Sequence, residues 1–127
     1  MNKRFVFKSS LPTLNEYIQA ERGYWAAAAA LKKKATGNIQ IEAMSQSRKK
    51  IEGMVDIDIF WVTPDNKQDA DNVFFGIKFI LDGLVKAGIL SSDGRKNVRH
   101  ISNFIRTVKG KRFITVTIKQ IKDGKCS

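Results

Sequence analysis

Between residues 54 and 88 the chain changes its hydrophobic period, and that change constrains the fold more than any other feature. Met54-Val55-Asp56-Ile57-Asp58-Ile59-Phe60-Trp61-Val62 alternates apolar with acidic residues and ends in an apolar run. A period of two is the signature of a strand, and Thr63-Pro64-Asp65-Asn66 supplies turn residues that stop it. From Asp71 onward, Val73, Phe74, Ile77, Ile80, Leu81, Leu84 and Val85 recur at helical spacing, with Gly88 as a C-terminal stop. The pattern predicts a strand, a short loop and one continuous helix over 71–85.

The flanking segments extend this unit. Residues 4–8 alternate like a short edge or first strand, and Leu11-Pro12-Thr13-Leu14-Asn15 ends it because proline cannot donate to a sheet ladder. Thr13 and Glu16 have capping-box spacing, and residues 25–52 are rich in helix formers, with a predicted interruption near Thr36-Gly37-Asn38. The run of five alanines at 26–30 needs no functional explanation. Residues 98–106 and 112–121 read as two strands joined by a hairpin-like turn around Lys109-Gly110-Lys111. The sum is a single α/β (α+β) domain over 1–127, with a mixed parallel and antiparallel sheet flanked by helices.

Composition narrows the chemistry. The longest stretch without a charged residue, 23–31, is nine residues, well short of a membrane span. Residues 1–8 carry basic side chains but no apolar leader, so the expected compartment is the cytoplasm. A single cysteine, Cys126, and a single histidine, His100, exclude an internal disulfide and a Cys/His zinc site, so a metal would sit on carboxylates; His100 reads as structural. Against 12 acidic residues stand 23 Lys and Arg, a formal charge of +11. That excess on a small domain is the footprint of a nucleic-acid binder, with bulk solubility as the plainer alternative.

Asp69-Ala70-Asp71 lies where the strand gives way to the helix. In an extended segment residues two apart point to one side, which suits a hard cation such as Mg²⁺. The alternative is that Asp71 caps the helix and Asp69 adds a favourable charge at its N-terminus. Lys78, seven residues after Asp71, projects from nearly the same helical face, where it serves either a phosphate or an ion pair with Asp82. Asp93 stands in Ser91-Ser92-Asp93-Gly94 after the helix, either as a third carboxylate or as part of a turn. Basic clusters occur at Lys32-Lys33-Lys34, Arg48-Lys49-Lys50, Arg95-Lys96 with Arg99, and Lys109, Lys111 and Arg112. Each has the reading of a solvated surface, and the Arg95 group follows the Asp93 loop directly. Of Tyr24, Trp25, Trp61, Phe74 and Phe75, most read as core and some as a wedge against unpaired bases.

Taken in order, Asp69-Ala70-Asp71-Asn72, then Lys78-Phe79-Ile80-Leu81-Asp82-Gly83-Leu84, then Lys86-Ala87-Gly88-Ile89-Leu90-Ser91-Ser92-Asp93 resembles the RusA family of Holliday junction resolvases. Leu11-Pro12-Thr13-Leu14-Asn15 is similar to that family's Pro-x-x-Asn segment, so the resemblance spans nearly the whole chain. It implies a crossover junction endodeoxyribonuclease acting as a homodimer on branched DNA. It further implies Asp69, Asp71 and Asp93 as Mg²⁺-binding catalytic carboxylates and Lys78 as the essential lysine; Asn15 and Lys67 are candidate DNA contacts beside them, and Arg95, Lys96 and Arg99 are candidate phosphate contacts because they follow the Asp93 loop directly. The segment between Asn72 and Lys78 is nearly one helical turn longer than in the shortest members. Gln68 replaces a basic residue of some members, and Ser92 an acidic one. Two other readings stay open on charge alone: a non-catalytic basic module for branched DNA or RNA, and a nuclease acting on flaps or forks.

Overall fold

In a computed structural model, which describes residues 2–121, one four-stranded mixed sheet is combined with helices in an α+β arrangement. The chain runs β1 (Asn2–Phe7), α1 (Leu14–Gly23), α2 (Trp25–Gln46), β2 (Val55–Thr63), α3 (Ala70–Phe74), α4 (Ile77–Lys86), β3 (Val98–Thr107) and β4 (Phe113–Gln120). Across the sheet the order is β1-β4-β2-β3, with β4 antiparallel to both neighbours and β2 parallel to β3. Cys126 lies outside the described residues.

Strand alternation sorts the side chains. Phe5 and Phe7, Val55, Ile57, Ile59 and Trp61, and Ile114, Val116 and Ile118 are buried with Ile39 and Ala43 of α2 and Ile80, Leu81 and Leu84 of α4. The intervening residues, among them Arg4, Asp56, Asp58, Phe60 and Phe104, stay at least partly exposed. Burial of that helix-facing set is the main source of stability, at roughly 1.5–3 kcal/mol for each large apolar side chain.

The capping box forms as its spacing predicts. Glu16 N donates to Thr13 Oγ1 at 3.3 Å and Thr13 N to Glu16 Oε1 at 2.9 Å. Gly88 ends α4 in the left-handed region at φ 77°, with Gly88 N bonded to Val85 O and Ile89 N to Leu84 O, the paired bonds of a Schellman motif.

Four expectations are corrected. The helix α2 runs unbroken through Thr36-Gly37-Asn38, because Thr36 and Ile39 are buried against α4 and packing outweighs local propensity. It also stops at Gln46, short of residue 52, because Ile51 is drawn into a bridge with Leu90, its N–H donating to Ile89 O at 2.8 Å.

The helix expected over 71–85 is two helices, α3 and α4, broken at Phe75-Gly76. A Cβ on Gly76 would stand 3.0 Å from Cη2 of Trp61, so this glycine lets the chain pass close over the indole while it turns. Lastly, β3 and β4 form no hairpin. Residues 108–112 cross the end of β2, where Val108 N donates to Thr63 O at 2.9 Å, and β4 enters between β1 and β2. The physical reason is burial: Ile114, Val116 and Ile118 of β4 need a central position, whereas β3 is exposed enough for an edge.

Candidate metal and nucleic-acid site

The segment carrying Asp69 and Asp71 is built outward from the end of β2. Thr63 Oγ1 donates to Asp65 O at 2.9 Å, and Lys67 N donates to Asp65 Oδ1 at 3.0 Å, so a side-chain-braced turn leads into α3. Asp69 occupies the N-cap position in an extended conformation, and its carbonyl accepts from Val73 N at 3.1 Å, but its carboxylate makes no cap hydrogen bond. Asp71 lies inside the first turn, its Oδ1 accepting from Asn72 N at 3.0 Å. Both carboxylates are exposed, and among the described residues neither is in an ion pair. Capping therefore does not use up their oxygens.

The residue that holds this segment is Asn72. It is 6% exposed, one of two buried polar residues among the described residues. Its Oδ1 accepts from Asn15 N at 2.8 Å and its Nδ2 donates to Gln68 Oε1. Asn15 N–H belongs to the first turn of α1, whose amides have no partner within the helix. One side chain thus ties the start of α1 to the turn on which Asp69 and Asp71 stand. In the sequence Asn72 stands out only as an amide at the start of an otherwise apolar helical stripe.

Other predicted residues are placed as follows. Lys78 Nζ is 3.7 Å from Asp82 Oδ2, the i,i+4 pair that its spacing allows, and is half exposed. Asp93 is exposed in the loop between α4 and β3, next to a turn in which Gly94 N donates to Ser92 Oγ at 2.8 Å. Arg95 and Lys96 are exposed at the following turn, closed by Asn97 N to Gly94 O at 3.0 Å. Lys67 is exposed as well. Arg99 is exposed and paired within the fold: its Nε and Nη2 donate to Asp56 at 3.0 and 2.7 Å.

The structure does not gather all three aspartates. Asp93 lines a groove between α2 and α4 together with Asp82, Lys32, Lys33 and Lys86, and Asp69 and Asp71 are not part of that lining. Among the described residues no group of three or more His, Cys, Asp or Glu stands close enough to hold a metal ion. The donor set that fits Mg²⁺ is the Asp69 and Asp71 pair, two hard oxygen ligands with room for water and phosphate. Of the wedge candidates, Tyr24 and Trp25 are 66% and 76% exposed where α1 meets α2, while Trp61 is buried and donates from Nε1 to Asn103 at 2.9 Å.

A second acidic pair sits on β2 and behaves differently. Asp58 accepts from Lys119 Nζ at 2.6 Å and Ser102 Oγ at 2.5 Å, and Asp56 accepts from Arg99. The hydrogen bond from Lys119, helped by that from Ser102, holds the Asp58 carboxyl below its ordinary range, and Arg99 does the same for Asp56. The same contact raises the Lys119 ammonium.

No family model and no curated protein matches the chain. Among solved structures it is similar to a chain from the crystal structure of the HypE-HypF complex, at 11% identity and a TM-score of 0.36, covering 97% of this chain. The chain spans about a third of that one, 33% of its length, and nothing about activity is carried over from it. Among the described residues no helix is long and apolar enough to cross a membrane.

Proposed function

We propose that this chain is a Mg²⁺-dependent, structure-selective DNA endonuclease that resolves four-way junctions by paired symmetric nicks. The observation that carries the reading is the state of Asp69 and Asp71: exposed, without a cationic partner among the described residues, and held at a fixed turn by Asn72. Two carboxylates two residues apart, with no ammonium or guanidinium on their oxygens among the described residues, are the donor arrangement a hard cation takes.

In this reading Asp69 and Asp71 hold Mg²⁺, with Asp93 as the third ligand that the resemblance to RusA-type resolvases implies. The ion, when bound, generates hydroxide at neutral pH and offsets charge on the phosphate. Asn72 keeps the two carboxylates oriented, Lys78 adds positive charge toward the phosphate, and Arg95 and Lys96 meet neighbouring phosphates from their turn. Asn15 and Lys67 flank the same segment and contact the strand from either side. A two-fold homodimer gives two such sites for a substrate that is itself nearly two-fold. Phosphate contacts dominate affinity, so recognition follows junction shape more than base sequence.

The charge of +11 favours a second reading, a basic module that binds branched DNA or RNA without cutting it. One experiment separates the two. Labelled mobile four-way junction is incubated with the protein with and without Mg²⁺, beside duplex, flap and RNA controls, and again with Asp71→Asn. Mg²⁺-dependent paired nicks that vanish in Asp71→Asn support the nuclease. Binding without any cut supports the module, and equal cutting of the flap removes junction selectivity.

A further inference from the structure

The helices α2 and α4 pack unusually closely at one point: a Cβ added to Gly83 would stand 2.5 Å from Cγ2 of Ile39. Beside that crossing they leave a groove of about 430 Å³. Lys32 and Lys33 of α2 and Lys86 of α4 line it, along with Thr36, Asp82 and Asp93. None of the three ammonium groups has an acidic partner within 4.0 Å among the described residues, whereas Asp82 is taken by Lys78. Three unneutralised lysines on two packed helices repel one another, and an anion in the groove removes that repulsion.

Thr36 supplies an independent observation. Its hydroxyl is the one buried side-chain polar atom among the described residues with no hydrogen-bond partner, on a residue 3% exposed that lines this groove. A buried hydroxyl left unpaired bears its full desolvation cost, and it lies directly under the lysines that line the groove.

We propose that the α2–α4 groove binds the phosphodiester backbone of a DNA strand, with Lys32, Lys33 and Lys86 on successive phosphates. This deepens the nuclease reading and rests on it for the identity of the nucleic acid. Lysine acts on phosphate as a hydrated point charge and reads no base, so the groove contributes affinity and direction without sequence preference. The carboxylates do not outweigh this: Asp82 is offset by Lys78, and Asp93 alone stands against three lysines. The groove is therefore the path by which the strand reaches that aspartate.

The test is fluorescence anisotropy of a labelled four-way DNA junction over a series of KCl concentrations, without divalent metal. The proteins are wild type, Lys32→Ala/Lys33→Ala, Lys86→Ala, and a control of equal charge loss, Lys109→Ala/Lys111→Ala. Each phosphate contact contributes about 0.9 to the slope of log affinity against log salt. The slope is expected to fall by about 2 for the groove double variant and about 1 for Lys86→Ala, and by clearly less for the control. Unchanged slopes in the groove variants overturn the proposal, as does an equal fall in the control, which marks a bulk-charge effect. Failure of the wild type to bind the junction also overturns it, and RNA of matched shape bound with the same lysine dependence overturns the assignment to DNA. Cutting is read separately in Mg²⁺. A wild type that cuts while groove variants keep their slope removes the groove alone, and a groove-dependent slope without cutting removes the nuclease alone.

Discussion

Two Asp-x-Asp pairs lie thirteen positions apart in this chain, and their surroundings differ in every respect that matters to chemistry. Asp56 and Asp58 stand on β2, each bound to a cation, and their carboxyls are held below the ordinary range by Arg99 and Lys119. Asp69 and Asp71 stand on a turn and the first residues of α3, exposed and without a cation among the described residues. The spacing is the same and the partners are not. A carboxylate pair becomes a metal site by what is left off it, since a neighbouring ammonium competes with the metal for the same oxygens.

Exchanging the roles of the two pairs is the sharpest way to break this contrast. Asp71→Asn is expected to lower junction cutting at least about 100-fold, the scale for removing one group that stabilises developing charge, with an unchanged melting temperature. If the same loss follows Asp58→Asn, measured on the same junction, the division between structural and chemical pairs fails.

Asn72→Ala comes next. It leaves Asn15 N–H and Gln68 without their partner, which costs about 1–3 kcal/mol by urea denaturation, and it lowers cutting because the turn loses its tether. For Asp58→Asn, cutting should stay and stability should fall by about 1 kcal/mol or less, because the pair is partly exposed and solvent screens it.

Acid titration sharpens the same point. A carboxyl whose pKa is depressed by folding contributes stability that is present above its unfolded value, near 3.8, and lost as pH falls through the folded one. Wild-type protein should therefore lose stability below pH 3.8 more steeply than Asp56→Asn/Asp58→Asn, as read from urea midpoints. Lys119 has the opposite sign: its raised pKa gives stability present below 10.5 and lost as pH climbs past it. The smallest effect belongs to Lys78→Ala. Its ion pair with Asp82 is worth at most about 0.5 kcal/mol, so a loss of cutting at constant melting temperature would place the lysine in the chemistry and full cutting would remove it.

Local signals in the sequence were read correctly wherever the physics is local. The Thr13 and Glu16 capping box, the alternation of β2 and the Gly88 stop involve residues within a few positions of one another. What sequence could not supply was long-range. The break at Gly76 answers to Trp61, fifteen residues away, and the continuity of α2 answers to Gly83 on another helix. Lys109-Gly110-Lys111 has the composition of a hairpin turn, but the partner of β4 is chosen by the apolar edge of β2. The same holds at the site: the sequence located the aspartates, but Arg99 and Lys119, which set one pair apart from the other, reach β2 from strands more than forty residues on.

Inserting β4 between β1 and β2 also sets the timing of assembly. β1 has β4, more than a hundred residues on, as its hydrogen-bonded neighbour, in a register running from Asn2 opposite Lys119 to Phe7 opposite Ile114. During synthesis β1 has no ladder to join until residues 113–120 have left the ribosome, and Phe5 and Phe7 wait with it. Such far-apart pairings slow folding and make it all-or-none. A chain shortened to end before residue 113 loses two of its three strand pairings at once, so proteolysis near β4 should unfold the protein and not merely trim it.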